Sequence, residues 1–270
     1  MSATAGDPTD LLEPLRSDPG ASALLTDIDG TLSPIAERPG DASVLPEARE
    51  ALALLAERFA LVACVSGRSA PAARELVGLD TLTYIGNHGL ERLEPGAPEP
   101  LTSATLTGHE EDAGRFANGL GRDRLADAGL RLEDKGPIRA LHWRGAPDEE
   151  RAEAVALEIG AEAESAGLAL HRGRKVLELR PLVEFDKGVA IVEAISDHGA
   201  EVRHALYAGD DRTDLDGFTR LRELANSGGL DAAVCVAIAS PEAPHEVSAK
   251  ADLVMADPSA FASFLGELAR

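Results

Sequence analysis

Short apolar runs alternate with stretches of helical periodicity along most of the chain, a pattern that predicts an α/β domain with a mostly parallel sheet. After a loose N-terminus the first strand falls at 23–27, ALLTD. A helix is expected at 46–58, where a proline opens PEAREALALLAER and apolar positions recur at helical spacing. The second strand is 60–66, a helix follows near 70–77, and the third strand is 81–86. From about 92 the pattern changes, and EPGAPEPLT, rich in Pro and Gly, reads as a linker. Beyond it come a helix at 108–127, strands at 129–134 and 138–144, a helix at 148–166, and strands at 168–172 and 176–181. The βα alternation then returns: helix 187–198, strand 205–209, helix 214–226, strands 233–239 and 252–256, and helix 258–269. The expected organisation is a doubly wound, mostly parallel α/β core in two parts, 1–94 and 183–270, interrupted by an inserted α+β cap domain at 95–182.

Composition narrows the partners. No apolar run approaches the roughly 20 residues that span a bilayer. Residues 1–20 have neither a basic start nor an apolar stretch, so no secretory signal is read and the expected location is cytoplasmic. Cys64 and Cys235 each sit inside an apolar run and read as reduced, buried small hydrophobes. A formal charge of −21 argues against nucleic acid and anionic membrane as partners, since both demand a basic surface.

The chemistry concentrates at expected strand ends. Asp27-Ile28-Asp29-Gly30-Thr31-Leu32 begins where the first strand ends, and ligands of doubly wound sheets bind beyond such ends. A carboxylate there can attack phosphorus and form an aspartyl-phosphate, and a second one two residues on can move protons. Gly30 lets the backbone turn sharply, although DG is also ordinary turn chemistry. Ser66, with Gly67 and Arg68, follows the second strand, and its hydroxyl can bond a phosphate oxygen; alone, SGR reads as a helix-capping turn. Lys187 opens a helix and can neutralise phosphoryl charge, although alone it reads as a solvated lysine. Asp210 and Asp211 follow strand ALYAG, with Asp214 behind them; clustered carboxylates suit Mg²⁺, while an isolated acidic loop is simply solvated. Four such groups at successive element ends, in a workable order, are an improbable coincidence.

With these motifs in view, the chain resembles the haloacid dehalogenase superfamily from about 21 to 270. That resemblance implies Asp27 as nucleophile, Asp29 as general acid/base, and Ser66, Gly67 and Lys187 as phosphate-binding residues. It also implies a Mg²⁺ site at Asp27, Asp210 and the backbone carbonyl of Asp29, supported by Asp211 and Asp214. DIDGTLSPI (27–35), SGR (66–68), GNHGLE (86–91), the segment ending in HWR (142–144), GRKVLELRP (173–181) and GDDRTDLDGF (209–218) resemble the trehalose-6-phosphate phosphatase branch. The branch often carries tyrosine where Ile28 stands. By resemblance Arg68, Asn87, His88, Glu133, Lys135, Arg144, Arg174 and Glu178 would bind a small sugar phosphate, the substrate being trehalose 6-phosphate. A monomer, functionally coupled to a trehalose-phosphate synthase, is expected.

Strand alternation adds a physical reading of the cap. Arg174, Val176, Glu178 and Arg180 share one face and Leu177 and Leu179 the other; His142 and Arg144 share a face opposite Trp143. A half-solvated sheet with cross-strand charge pairs has the same pattern. With aromatic residues at 3%, sugar recognition would rest on polar contacts. Two other functions fit the core residues: a capped phosphatase or phosphomutase for another sugar phosphate or a glycosyl-phosphoglycerate, and a non-catalytic sugar-phosphate sensor.

Overall fold

The computed structural model describes residues 8–36, 39–173, 175–198, 201–240 and 243–270. The chain divides into two units: one comprises the described residues up to Leu101 and from Phe185 onward, the other is Thr102–Glu184.

In the first unit, α1 (Pro8–Ser17), β1 (Ser22–Thr26), α2 (Pro46–Ala56), β2 (Leu61–Val65), α3 (Ala70–Val77), β3 (Thr83–Gly86) and β4 (Glu91–Leu93) come first, and β5 (Leu101–Thr102) straddles the boundary with the second unit. The second unit holds α4 (Asp112–Asn118), α5 (Arg122–Ala128), β6 (Arg131–Asp134), β7 (Arg139–His142), α6 (Glu149–Ser165), β8 (Leu168–Gly173) and β9 (Val176–Pro181). The first resumes with α7 (Lys187–Asp197), β10 (His204–Gly209), α8 (Asp214–Asn226), β11 (Ala232–Ile238), α9 (His245–Lys250), β12 (Leu253–Met255) and α10 (Pro258–Leu268).

The larger sheet runs β12-β11-β10-β1-β2-β3-β4-β5. It is parallel from β12 to β3, and β4 pairs antiparallel to β3. Every residue of β1 (SALLT) and β2 (LVACV) is buried, as expected of strands covered on both faces. Alternation divides their side chains between two cores. Leu24 and Cys64 join residues of α1, α2, α3 and α10, whereas Ala23, Leu25, Ala63 and Val65 join residues of α7, α8 and α9. Helices on both faces make the fold doubly wound.

The sheet of the second unit is antiparallel, ordered β6-β7-β9-β8. Its apolar face, with Leu141, Leu177 and Leu179, packs on Ala152, Ala156, Ile159 and Ala163 of α6.

Four expectations change. The helix expected at 108–127 is two, α4 and α5, because Gly119 ends the first and Gly121 enters the second in extended conformation (φ −63°, ψ 130°). The strand expected to reach Arg144 stops at His142, since the chain turns at Gly145 with φ 77°. The loose N-terminus contains α1, which buries Leu12 and Leu15 despite the interior Pro14. Short elements β4, β5 and α9 lie in stretches read as connections. Among the described residues no helix is long and apolar enough to cross a membrane.

Candidate active site

The carboxyl ends of the adjacent strands β10, β1, β2 and β3 lead directly into Asp210, Asp27, Ser66 and Asn87. The Asp27 amide donates to the Ala208 carbonyl at 2.8 Å, so the position of Asp27 is fixed as an extension of the parallel ladder. The chain then turns: Leu32 N–H donates to the Ile28 carbonyl at 2.9 Å and Gly30 takes φ 93°. Glycine is required there twice over. Its conformation disfavours a side chain, and a Cβ at this position would stand 2.1 Å from Oδ2 of Asp210.

Lys187, first residue of α7, is buried and aims its ammonium at two carboxylates. Nζ donates to Asp27 Oδ1 at 2.6 Å and to Asp214 Oδ1 at 2.8 Å. Asp210 accepts from the Thr31 hydroxyl at 3.2 Å through Oδ1. Asp27, Asp210 and Asp214 each present a carboxylate oxygen within 4.8 Å of the others, a cluster able to hold a metal ion. Burial raises the Asp27 pKa well above the usual carboxylate range; Lys187 opposes this, and Asp214 and Asp210 reinforce it. Asp210 is pushed to about 7, by burial first and then by the charge of Asp214. Three crowded acidic groups facing one lysine are a site that favours an added cation.

Asp214 differs from its two neighbours. Its Oδ1 accepts from Lys187 and from the Tyr207 hydroxyl (2.6 Å), and its Oδ2 accepts from the amides of Asp210 (3.0 Å) and Asp211 (2.9 Å). A carboxylate offers about four acceptor positions, so these donors fill it. Asp214 therefore anchors the Asp210 loop and the lysine from behind. Asp211 has an exposed side chain that accepts from the Arg212 amide at 2.6 Å.

The second carboxylate of the first motif is held differently. Arg68 grips Asp29 with two hydrogen bonds of 2.7 Å, from Nε and Nη2. Ser66 is buried, and its Oγ accepts from the Arg68 amide at 3.1 Å. Gly67 lies under the His88 imidazole, whose Nε2 would be 2.7 Å from an added Cβ. Asn87 and His88 both take positive φ, 50° and 59°, a conformation uncommon for side-chain-bearing residues and frequent at functional sites.

The second unit carries Glu133, Lys135, Arg144 and Glu178; Arg174 lies outside the described residues. Glu133 and Glu178 sit opposite Ala140 from either side, which puts them on one sheet face, away from the leucines. Glu178 is nearly buried and accepts from Lys135 at 2.7 Å and from Arg180 at 2.5 and 2.9 Å. Glu133 pairs with His142 at 2.7 Å, first of the causes that lower its pKa. Arg144 is exposed in the turn beyond β7.

Sequence reasoning passed over three participants. Thr31 lies inside the first motif and bonds Asp210. Glu91, last residue of GNHGLE, accepts from the Ala70 amide at 2.5 Å and ties that loop to the start of α3. Tyr207 reads as one more apolar position in ALYAG, and nothing in the pattern marks its hydroxyl.

The profile of the family described as trehalose-phosphatase matches residues 25–252. The chain is 36% identical over 208 residues to a Mycobacterium tuberculosis protein described as an uncharacterized glycosyl hydrolase, covering 74% of this chain and 15% of that one. It is 34% identical over 261 residues to trehalose 6-phosphate phosphatase RA3 of Zea mays, covering 91% of this chain and 69% of that one. The chain thus spans a part of these curated relatives. Among solved structures, the C-terminal domain of Candida albicans trehalose-6-phosphate phosphatase matches with a TM-score of 0.75 at 20% identity over 97% of each chain, a likeness of fold. The profile covers most of the length and the maize relative exceeds two thirds coverage, and on those grounds the chain belongs to the trehalose-phosphatase family.

Proposed function

We propose that this protein is a Mg²⁺-dependent phosphatase that hydrolyses trehalose 6-phosphate to trehalose and inorganic phosphate through an aspartyl-phosphate on Asp27. The observation that carries the reading is the buried Asp27–Lys187–Asp214 chain of contacts beside Asp210, at strand ends of a chain belonging to this family. The donor set fits a small hard cation: its ligands are carboxylate oxygens, and Gly30 leaves open the space against Asp210 that a side chain would fill. Asp27, Asp210 and the main-chain carbonyl of Asp29 would hold Mg²⁺, which when bound would supply positive charge against the phosphoryl oxygens.

The chain's own residues do the rest. Asp27 Oδ attacks phosphorus, forming an O–P bond as the P–O bond to the sugar breaks; Asp29, as general acid, passes a proton to the departing sugar oxygen. Lys187 and the Ser66 hydroxyl stabilise charge on the phosphoryl oxygens. A water oxygen then bonds phosphorus, the Asp27–phosphorus bond breaks, and the water's proton returns to Asp29. Gly67 is read as a phosphate-binding residue beside Ser66, and its missing side chain makes room for the His88 imidazole. Glu133, Lys135, Arg144, Arg174 and Glu178 are read as sugar or phosphate contacts from the second unit, Arg68, Asn87 and His88 as contacts from the first. The same reading places a monomeric enzyme in the cytoplasm, supplied by a synthase.

The test is phosphate release from a panel of sugar phosphates, with and without Mg²⁺, by the wild type and by Asp27→Asn. The expected outcome is strong, Mg²⁺-dependent preference for trehalose 6-phosphate and near-complete loss in Asp27→Asn with the fold retained. Preference for a different ester would keep the chemistry and replace the substrate. A fully active Asp27→Asn variant would overturn the mechanism.

A further inference from the structure

Tyr207 lies in the middle of the sheet, in β10, with its side chain fully buried. Its ring makes an edge contact with Phe218 of α8, centroids 5.9 Å apart. Packing alone would be served as well by phenylalanine. The hydroxyl, however, reaches the one carboxylate oxygen that Lys187 also uses: Tyr207 Oη donates to Asp214 Oδ1 at 2.6 Å and Lys187 Nζ donates to the same atom at 2.8 Å. Two glycines leave room for Asp214 and for the Tyr207 ring. A Cβ on Gly209 would stand 2.2 Å from Cγ of Asp214, and one on Gly217 would stand 2.3 Å from Cε1 of Tyr207.

We propose that Tyr207 is a positioning residue for the reaction, one that acts through Asp214 to hold the Lys187 ammonium against Asp27. This rests on the phosphatase reading above and deepens it. The argument is geometric. A carboxylate oxygen accepts along two lone-pair directions. With the tyrosine hydroxyl on one direction of Oδ1, the lysine takes the other, and from there Nζ reaches Asp27 Oδ1 at 2.6 Å. The Oδ2 side is closed by the two amides of the Asp210 loop, so the carboxylate cannot rotate to offer an alternative. Remove the hydroxyl and both directions of Oδ1 open to the ammonium. Asp214 then draws Lys187 more strongly, because one fewer donor shares its buried charge, and the cation facing the reacting phosphoryl group moves off its mark. Burial, and then the charge of Asp214, hold the phenol's pKa far above the ordinary range.

The experiment compares wild type, Tyr207→Phe and Phe218→Leu, each with saturating Mg²⁺, on a sugar phosphate and on p-nitrophenyl phosphate. Tyr207→Phe keeps the ring and loses only the hydroxyl; Phe218→Leu damages the same packing and keeps the hydroxyl. The expected result for Tyr207→Phe is a kcat about tenfold lower on both esters, with KM for the sugar phosphate within about twofold. Phe218→Leu should keep a kcat near that of wild type even where its Tm falls further. Unchanged kcat in Tyr207→Phe overturns the proposal. So does an equal fall of kcat in both variants, which would make the effect one of packing, or a change confined to KM. Wild type inactive on every ester would overturn the phosphatase reading itself, and this proposal with it.

Discussion

At the scale of single residues, the site depends on atoms that are absent as much as on those present. Gly30 is the clearest instance: at φ 93°, with Asp210 Oδ2 where its Cβ would point, it lets the first motif and the Asp210 loop come together. Gly30→Ala should push Asp210 aside and add about 1 kcal/mol of backbone strain. The expected outcome is a phosphate-release activity that needs at least about tenfold more Mg²⁺ for half-saturation, since a displaced carboxylate is a poorer ligand. Gly20→Ala is the control, because nothing lies within 4 Å of a Cβ there and its φ is not positive. An unaltered Mg²⁺ titration in Gly30→Ala would show that Asp210 does not set metal affinity.

Among elements, α7 has the most direct bearing on the chemistry because its first residue is Lys187. Asp186 caps it, accepting from the Val189 amide at 2.7 Å, and so fixes where the helix begins and where the lysine leaves it. Asp186→Ala should cost about 1 kcal/mol in urea unfolding, and Asp186→Asn considerably less, since asparagine caps nearly as well. Equal losses in the two variants would assign the effect to charge instead of capping. Elements of this kind were readable in the sequence for a physical reason. β2 is an unbroken apolar run and β1 and β10 carry the apolar stretches ALL and ALYAG, because both faces are covered; the polar residues that follow each stretch placed Asp27, Ser66 and Asp210 near the strand ends. α1 was not readable, with ten residues and an interior proline, nor was the break between α4 and α5, where Gly119 and Gly121 interrupt a run whose period continues across them. The partners of the site residues were hidden too. The Arg68–Asp29 and Tyr207–Asp214 bonds join positions 39 and 7 apart, set by strand order and loop geometry, which a pattern of hydrophobicity does not encode.

For the molecule as a whole, a formal charge of −21 sets the background against which the site works, and its cations must be concentrated where phosphate is bound. Among the described residues Lys187 faces both Asp27 and Asp214, with Asp210 beside them, so three acids set against this one lysine leave the site overcharged once they ionise without added cation. The sign of the consequence follows from the pKa values. Asp210, raised by burial to about 7, and Asp27, raised in the same direction, bind more protons in the folded state than in the unfolded one across the window from about 4 to about 7. Stability therefore falls as pH rises through that window, in metal-free protein. Carboxyls shifted the other way, such as Asp112 and Glu133, are held below the ordinary carboxylate range and exert their effect on the acid side of it. Chelator-treated protein should accordingly melt at a higher temperature at pH 5 than at pH 8, and Mg²⁺ should raise the Tm more at pH 8 than at pH 5, because protons and metal compete for the same oxygens. Thermal melts at both pH values, with and without Mg²⁺, decide the matter. A metal-free Tm that stays level or climbs toward pH 8 would mean that Lys187 and the loop amides already neutralise the cluster, leaving no excess charge to recruit a cation.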